Sequence, residues 1–248
     1  MLITDFDGTL YRGSCPFLFR GIANADLMVA LCLLSVFKTK RFFRLLLGMF
    51  KLRRLERRLR REYGTGKMTL SDAEEQMVRF FVAHILAHGE KTDIDRAARI
   101  ISGLCYKAAW RCFGVLKVRC DFVIVSKSFE FLLAKVSQRA SWHGIEMGYY
   151  GNKAGDSDLP PLQGSVRVKA DKRVRLQALL ASRSYKKAIV IGDTEDDIAM
   201  RDAAVEVLGK PNVVFICMNA KDKKIIGVAD QSFTSWQAAG AYLEHIFT

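Results

Sequence analysis

No stretch of this chain is long and apolar enough to cross a bilayer as a helix. The longest apolar run, Leu27 to Phe37, is broken only by Ser35 and falls short of the roughly 20 residues a span requires. That run lies after Asp5 and Asp7, and the chain lacks a basic start, so it does not read as a secretory leader. Cys-x-x-Cys pairs are missing too. Cys15, Cys32, Cys105, Cys112, Cys120 and Cys217 are scattered, which fits reduced, mostly buried thiols in a cytoplasmic protein rather than a disulfide framework. His84, His88, His143 and His245 read as packing or surface residues, leaving no soft-metal site. No internal repeat stands out, which argues against a solenoid.

Acidic residues are scarce in one place. From Lys38 to Lys67 twelve basic residues face only Glu56 and Glu62, a local charge of +10 out of +13 for the chain. The basicity therefore belongs to one element. In the same segment Phe42, Leu45, Met49, Leu52, Leu55, Leu59 and Tyr63 recur at spacings of three and four. This predicts a long amphipathic helix with an arginine and lysine face, stopped by Gly64-Thr65-Gly66. Ser71 with Glu74 fits a capping box for a second helix reaching about His88, and Thr92 fits the cap of a third over Asp93 to Ile101.

The remainder has another texture. Phe122 to Val125, Ala188 to Ile191 and Val213 to Ile216 are continuous apolar runs, as expected for strands covered on both faces. Helical patterns separate them, at Phe129 to Arg139, Lys172 to Ser182 and Asp197 to Ala203. Asn152 to Gln163 reads as a loop. Alternating strands and helices predict an α/β fold, a doubly wound parallel sheet with an added α-helical cap. Residues 1–12 and 119–248 would form the core, and residues 13–118 a helical insert that overhangs the rim of the sheet. At 248 residues both units fit.

The chemistry is announced at Ile3 to Leu10, Ile-Thr-Asp-Phe-Asp-Gly-Thr-Leu. Asp5 and Asp7 stand at i and i+2 just after a short apolar run, so they project to one side of an extended segment. Gly8 lets the backbone approach a ligand. At average usage Asp-x-Asp-Gly-Thr begins at a given position roughly once in 10^5, so chance accounts for it poorly. Such a pair suits phosphate chemistry, one carboxylate attacking phosphorus and the other moving a proton. Ser126 ends the second apolar run, Lys172 opens a helix, and Gly192-Asp193-Thr194-Glu195-Asp196-Asp197 follows the Ala188 run. In a parallel sheet all of these reach one rim.

These residues, in this order, resemble the haloacid dehalogenase superfamily, in its phosphoserine-phosphatase-like subfamily with a helical cap between the first two motifs. The matching segments are Asp5 to Leu10, Val123 to Ser126, Lys172 to Leu176, and Gly192-Asp193 to Met200. The resemblance covers the core and not the cap. It implies a phosphatase in which Asp5 is the nucleophile that forms an aspartyl-phosphate. Asp7 is then the acid and base, while Ser126 and Lys172 bind the phosphoryl group. Asp5, Asp193 and Asp197 hold Mg2+ together with the backbone carbonyl of Asp7. Lys169 competes with Lys172 for the lysine position. Asp196 would touch the metal or phosphate, or support those that do. Lys127 stands where relatives carry small residues, and either adds phosphate affinity or points outward. The carboxylate crowding itself calls for a hard divalent cation.

The basic helix leaves the partner open. An anionic membrane surface, an anionic substrate and nucleic acid are the alternatives to a solvated helix face, with nucleic acid disfavoured because aromatic interleaving is absent. The function expected is Mg2+-dependent hydrolysis of a phosphomonoester in the cytoplasm. A variant of it is a phospholipid phosphatase at the inner membrane face, acting on head groups such as phosphatidylglycerophosphate. The alternative of another class is a non-catalytic protein that binds anionic membranes or nucleic acid.

Overall fold

The structure, a computed structural model, describes residues 1–11, 23–154, 166–167, 172–219 and 223–247. The chain opens with strand β1 (Leu2–Thr4), and the described residues then pass through helices α1 (Ala23–Leu34), α2 (Thr39–Gly64), α3 (Leu70–His84), α4 (Lys91–Ser102) and α5 (Lys107–Leu116). It then alternates through β2 (Phe122–Phe129), α6 (Glu130–Ser141), β3 (Met147–Ala154), β4 (Val166–Arg167), α7 (Lys172–Ala181), β5 (Ala188–Gly192), α8 (Asp196–Leu208) and β6 (Val213–Met218). Helix α9 (Lys223–Val228), β7 (Gln231–Phe233) and α10 (Trp236–Phe247) complete it.

The described strands form one sheet in the order β4-β3-β2-β1-β5-β6-β7. All pairings are parallel except the short edge strand β4, which runs antiparallel to β3. The apolar runs account for the two-sided burial. Leu2, Phe122, Ile124, Ile189, Ile191 and Ile216 enter a core on one face. Their alternating neighbours Ile3, Val123, Val125, Val190 and Phe215 enter a second core on the other, as the period of two requires. The second core is closed by α7, α8 and α9 through Leu176, Met200 and Ile225. The first is closed by α6, α10 and the helices that follow β1.

Those inserted helices are tied into the first core. Helix α5 packs along α10, α4 against both α1 and α6, and α2 against α3. One continuous apolar cluster runs from Leu45 and Leu52 of α2 through Phe81 and Ile101 to Phe113 and Trp236.

Several local expectations are corrected. The capping box of α3 is Thr69 with Asp72, whose backbone N–H lies 3.1 Å from the Thr69 hydroxyl, not Ser71 with Glu74. Helix α3 ends at His84, and a 3-10 turn carries Leu86–His88. Helix α4 starts at Lys91 with Glu90 at its N-cap position, so Thr92 lies inside it. Asn152 is strand rather than loop: β3 continues to Ala154 and pairs with β2 through Phe129↔Asn152. The rest of the expected loop, residues 155–163, and Lys169 lie outside the described residues.

Candidate active site

Strand β1 sits between β2 and β5, in register Thr4↔Ile124 and Thr4↔Ile191. The chain crosses from one side of β1 to the other after β4, so β1 marks the topological switch point where ligands bind in such sheets. The residue after β1, the end of β2 and the residue after β5 must therefore be neighbours. The Asp5 N–H donates to the Ile191 carbonyl at 2.9 Å, which fixes the Asp5 backbone against β5.

Three of the expected carboxylates converge. Asp5, Asp193 and Asp197 each offer an oxygen, all within 4.8 Å of one another. Lys172, from the first turn of α7, joins them. Its Nζ donates to Asp5 Oδ1 at 2.8 Å and to Asp197 Oδ1 at 2.6 Å, and all three side chains are buried. Asp197 also shapes the loop between β5 and α8, because its Oδ2 accepts the N–H groups of Asp193 at 2.9 Å and Thr194 at 3.0 Å.

Two glycines make the convergence sterically feasible. Gly8 has φ +73°, and a Cβ there would stand 2.0 Å from Asp193 Oδ2. A Cβ on Gly192 would stand 2.3 Å from the Asp197 Cβ. Any larger residue would push the carboxylates apart.

Asp7 takes a different place from the three. Its carboxylate is not part of the converging cluster; it lies half-buried and accepts the Ser128 hydroxyl at 2.7 Å. Ser126 is buried at the same strand end, and its hydroxyl accepts the Ser128 N–H at 3.2 Å. Lys127 does not simply point outward: its Nζ binds Asp196 at 2.6 Å, joining β2 to α8 across the rim, while the Lys127 carbonyl accepts the Asn152 amide at 2.6 Å. Asp196 is thus engaged with Lys127.

The sequence alone assigns no role to Thr9, Ser128 and Trp236. The Thr9 hydroxyl donates to Asp193 Oδ1 at 3.2 Å. Its carbonyl accepts the Trp236 indole N–H at 2.8 Å, so α10 pins the turn that carries Asp7 and Gly8. Ser128 does carry a signal, standing two residues beyond Ser126 just past the same apolar run. Trp236 has no such signal.

The electrostatics follow from burying acids together. Burial pushes the Asp5 carboxyl well above the usual range; the Lys172 ammonium opposes this, while Asp197 and Asp7 add to it. Asp193 is pushed up to about 7, first by burial and then by Asp197, with the Thr9 hydroxyl pulling the other way. Burial works against the Lys172 ammonium, but Asp197 and Asp5 outweigh it and hold the lysine charged above its ordinary value. A site with two buried carboxylates, a third partly exposed and one cation keeps surplus negative charge. A hard divalent cation relieves that surplus, and the donors, all oxygens, are the kind Mg2+ prefers. The residues present fit such an ion.

Comparison with solved structures gives the same architecture. Cytosolic 5'-nucleotidase IIIB bound to cytidine matches with a TM-score of 0.59 at 14% identity, over 99% of this chain and 86% of that one. A phosphoserine phosphohydrolase-like protein from Francisella tularensis matches with a TM-score of 0.59 at 13% identity, over 97% of both chains. The HAD-hydrolase YfnB from Bacillus subtilis, bound to magnesium, matches with a TM-score of 0.50 at 14% identity, over 98% and 97%. No family model matches the sequence, and no curated protein matches it. With its parallel sheet, switch-point carboxylates and these structural neighbours, the chain has the fold of the haloacid dehalogenase-like hydrolases.

Proposed function

We propose that the protein is a Mg2+-dependent phosphatase that hydrolyses a phosphomonoester of a small molecule or head group through an aspartyl-phosphate on Asp5. The observation that carries this reading is the buried Lys172 ammonium held between Asp5 and Asp197, beside Asp193. A structural ion pair needs one acid; a lysine shared by two acids at a switch point, with a third acid beside them, suits a phosphoryl group.

Asp5, Asp193 and Asp197 would hold the Mg2+ with the Asp7 carbonyl, and the ion would supply charge neutralisation for the phosphate. Lys172 opposes the protonation that burial favours on Asp5, orients that carboxylate, and offers its remaining N–H to a phosphoryl oxygen. Ser126 offers its hydroxyl to another. The Asp5 carboxylate attacks phosphorus as the bond to the ester oxygen breaks, and Asp7 protonates the departing oxygen. Asp7, now a base and steadied by Ser128, takes a proton from water as that water attacks phosphorus. Inorganic phosphate leaves and Asp5 is regenerated. Residues 13–118, which follow β1 in the sequence, would serve as the cap. A purely binding role gives no reason for the Asp7 and Ser128 pairing beside a shared lysine. The cytidine-bound nucleotidase neighbour supports a phosphorylated small molecule as substrate.

The test is hydrolysis of p-nitrophenyl phosphate with and without Mg2+. The wild type is expected to turn over only with the metal, and a folded Asp5→Asn protein is expected to be inactive. Undiminished turnover by Asp5→Asn would remove the nucleophile from the mechanism.

A further inference from the structure

Helix α2 carries two kinds of residue on its outer side. Leu45, Gly48, Leu52 and Leu59 are buried against the neighbouring helices. Lys40, Phe43, Leu47, Phe50, Arg54 and Arg57 follow at steps of three and four and are all exposed, so they form one stripe. Phe43 is 61% exposed, Leu47 55% and Phe50 59%. Just before the helix, Phe37 is 97% exposed. Solvent contact on this many large apolar groups, contiguous along a helix and its entry turn, marks an interaction surface rather than scattered surface residues.

Cations frame the apolar part. A cavity of about 320 Å³ at the start of α2 is lined by Lys40, Arg41, Arg44, Ala87, His88 and Gly89. Arg41 is committed to Glu90 and Asp93, but Lys40 and Arg44 have no acidic partner among the described residues. Burial pulls the His88 imidazole below its ordinary value, and Arg44 and His84 nearby add to this. The first turn of α2 holds no acidic residue, and Lys38 gives it no side-chain cap, so the helix dipole adds to the same field. Lys51, Arg54, Arg57 and Arg61 continue the charge beyond Phe50, also without acidic partners among the described residues.

We propose that α2 and its entry turn dock the protein on an anionic phospholipid surface, with Phe37, Phe43, Leu47 and Phe50 entering the interface and the Lys40–Arg44–His88 cavity receiving a head-group phosphate. The charge favours an anionic partner, and the apolar stripe between the cations decides for lipid. Nucleic acid would satisfy the cations but leave Leu47 and Phe50 facing phosphates and water, whereas a bilayer interface takes apolar and basic groups side by side. The inference stands apart from the proposed catalysis, because none of these residues lies at the carboxylate cluster.

Flotation of the purified full chain with vesicles tests it, without substrate or metal. Vesicles of phosphatidylglycerol with phosphatidylcholine are compared with pure phosphatidylcholine, and with an oligonucleotide in solution. The protein is expected to float only with the anionic vesicles and to be released by salt. Lys40→Gln with Arg44→Gln should weaken binding about thirty-fold, the scale of two surface cations. Phe43→Ser with Leu47→Ser and Phe50→Ser should weaken it at least as much, while p-nitrophenyl phosphate hydrolysis stays at the wild-type rate. These positions are exposed, so melting temperatures should change little, and circular dichroism checks that. Failure to float, flotation that ignores both sets of substitutions, or salt-sensitive oligonucleotide binding without vesicle binding would each overturn the proposal. Loss of phosphatase activity alone, as in Asp5→Asn, would leave it untouched.

Discussion

At the scale of single residues, the site is organised by what burial does to charge. Lys172 offsets two buried carboxylates, and removing it would leave both Asp5 and Asp197 without a cation. Lys172→Met is therefore expected to destabilise the metal-free protein by about 3–5 kcal/mol and to lower turnover by about 10²–10³. Denaturant unfolding and a steady-state assay would check the pair, and an active, stable variant would show the lysine to be dispensable. Asp193 gives a pH signature. Its pKa in the fold, about 7, lies above the unfolded value of 3.8, so the native state keeps a proton that the unfolded chain loses. Its contribution to stability thus falls as pH rises from about 4 to about 7. Replacing it by Asn removes that loss. Metal-free Asp193→Asn should melt higher than the wild type at pH 8, with the gap closing at pH 5. A gap that is larger at pH 5 would contradict the assignment of the shift to this carboxyl.

At the scale of elements, the strands that carry the site are the most legible part of the sequence. Phe122 to Val125 and Ala188 to Ile191 are apolar on every residue because both faces of the sheet are covered, and an uncovered strand would alternate instead. Asp5 and Asp193 follow directly, since they stand at the ends of such runs. Strand β3 is hidden in the sequence because Gly148, Gly151 and Asn152 interrupt its apolar texture. Its place is set by pairing with β2, a tertiary cause. The cap of α3 is ambiguous because Thr69-x-x-Asp72 and Ser71-x-x-Glu74 overlap and offer the same local chemistry. Helix α10 gives no clear signal, yet its Trp236 holds the turn after β1 through the Thr9 carbonyl. Trp236→Phe would keep much of the volume and leave that buried carbonyl without its donor. A loss of about 1–3 kcal/mol in stability is expected, together with reduced turnover as the Asp7 turn loosens. Unchanged stability would place the support of that turn elsewhere.

At the scale of the whole molecule, charge and fold separate. The net charge of +13 says nothing about the sheet and a good deal about α2, where most of it resides. Exposed like charges repel, and salt screens that repulsion. The melting temperature is therefore expected to rise as sodium chloride is added from low concentration, and a flat or falling melting curve would show the charges already balanced. No described helix is long and apolar enough to cross a membrane, and the described cysteines are all free. How the inserted helices attach is beyond the reach of sequence. The apolar positions of α4 and α5 show only that a face is buried, whereas their packing on α6 and α10 is decided by the assembled core.

The central claim is that Asp5 carries the phosphoryl group during turnover, and chemical trapping reads this directly. The protein would be mixed with a phosphomonoester and Mg2+, quenched in acid during turnover and treated with borohydride, which reduces an acyl-phosphate to an alcohol. Mass spectrometry of the amino-terminal peptide is expected to find Asp5 converted to homoserine, only when substrate and metal are both present and not in Asp5→Asn. Steady hydrolysis with Asp5 unmodified, or with the modification on another residue, would contradict the account.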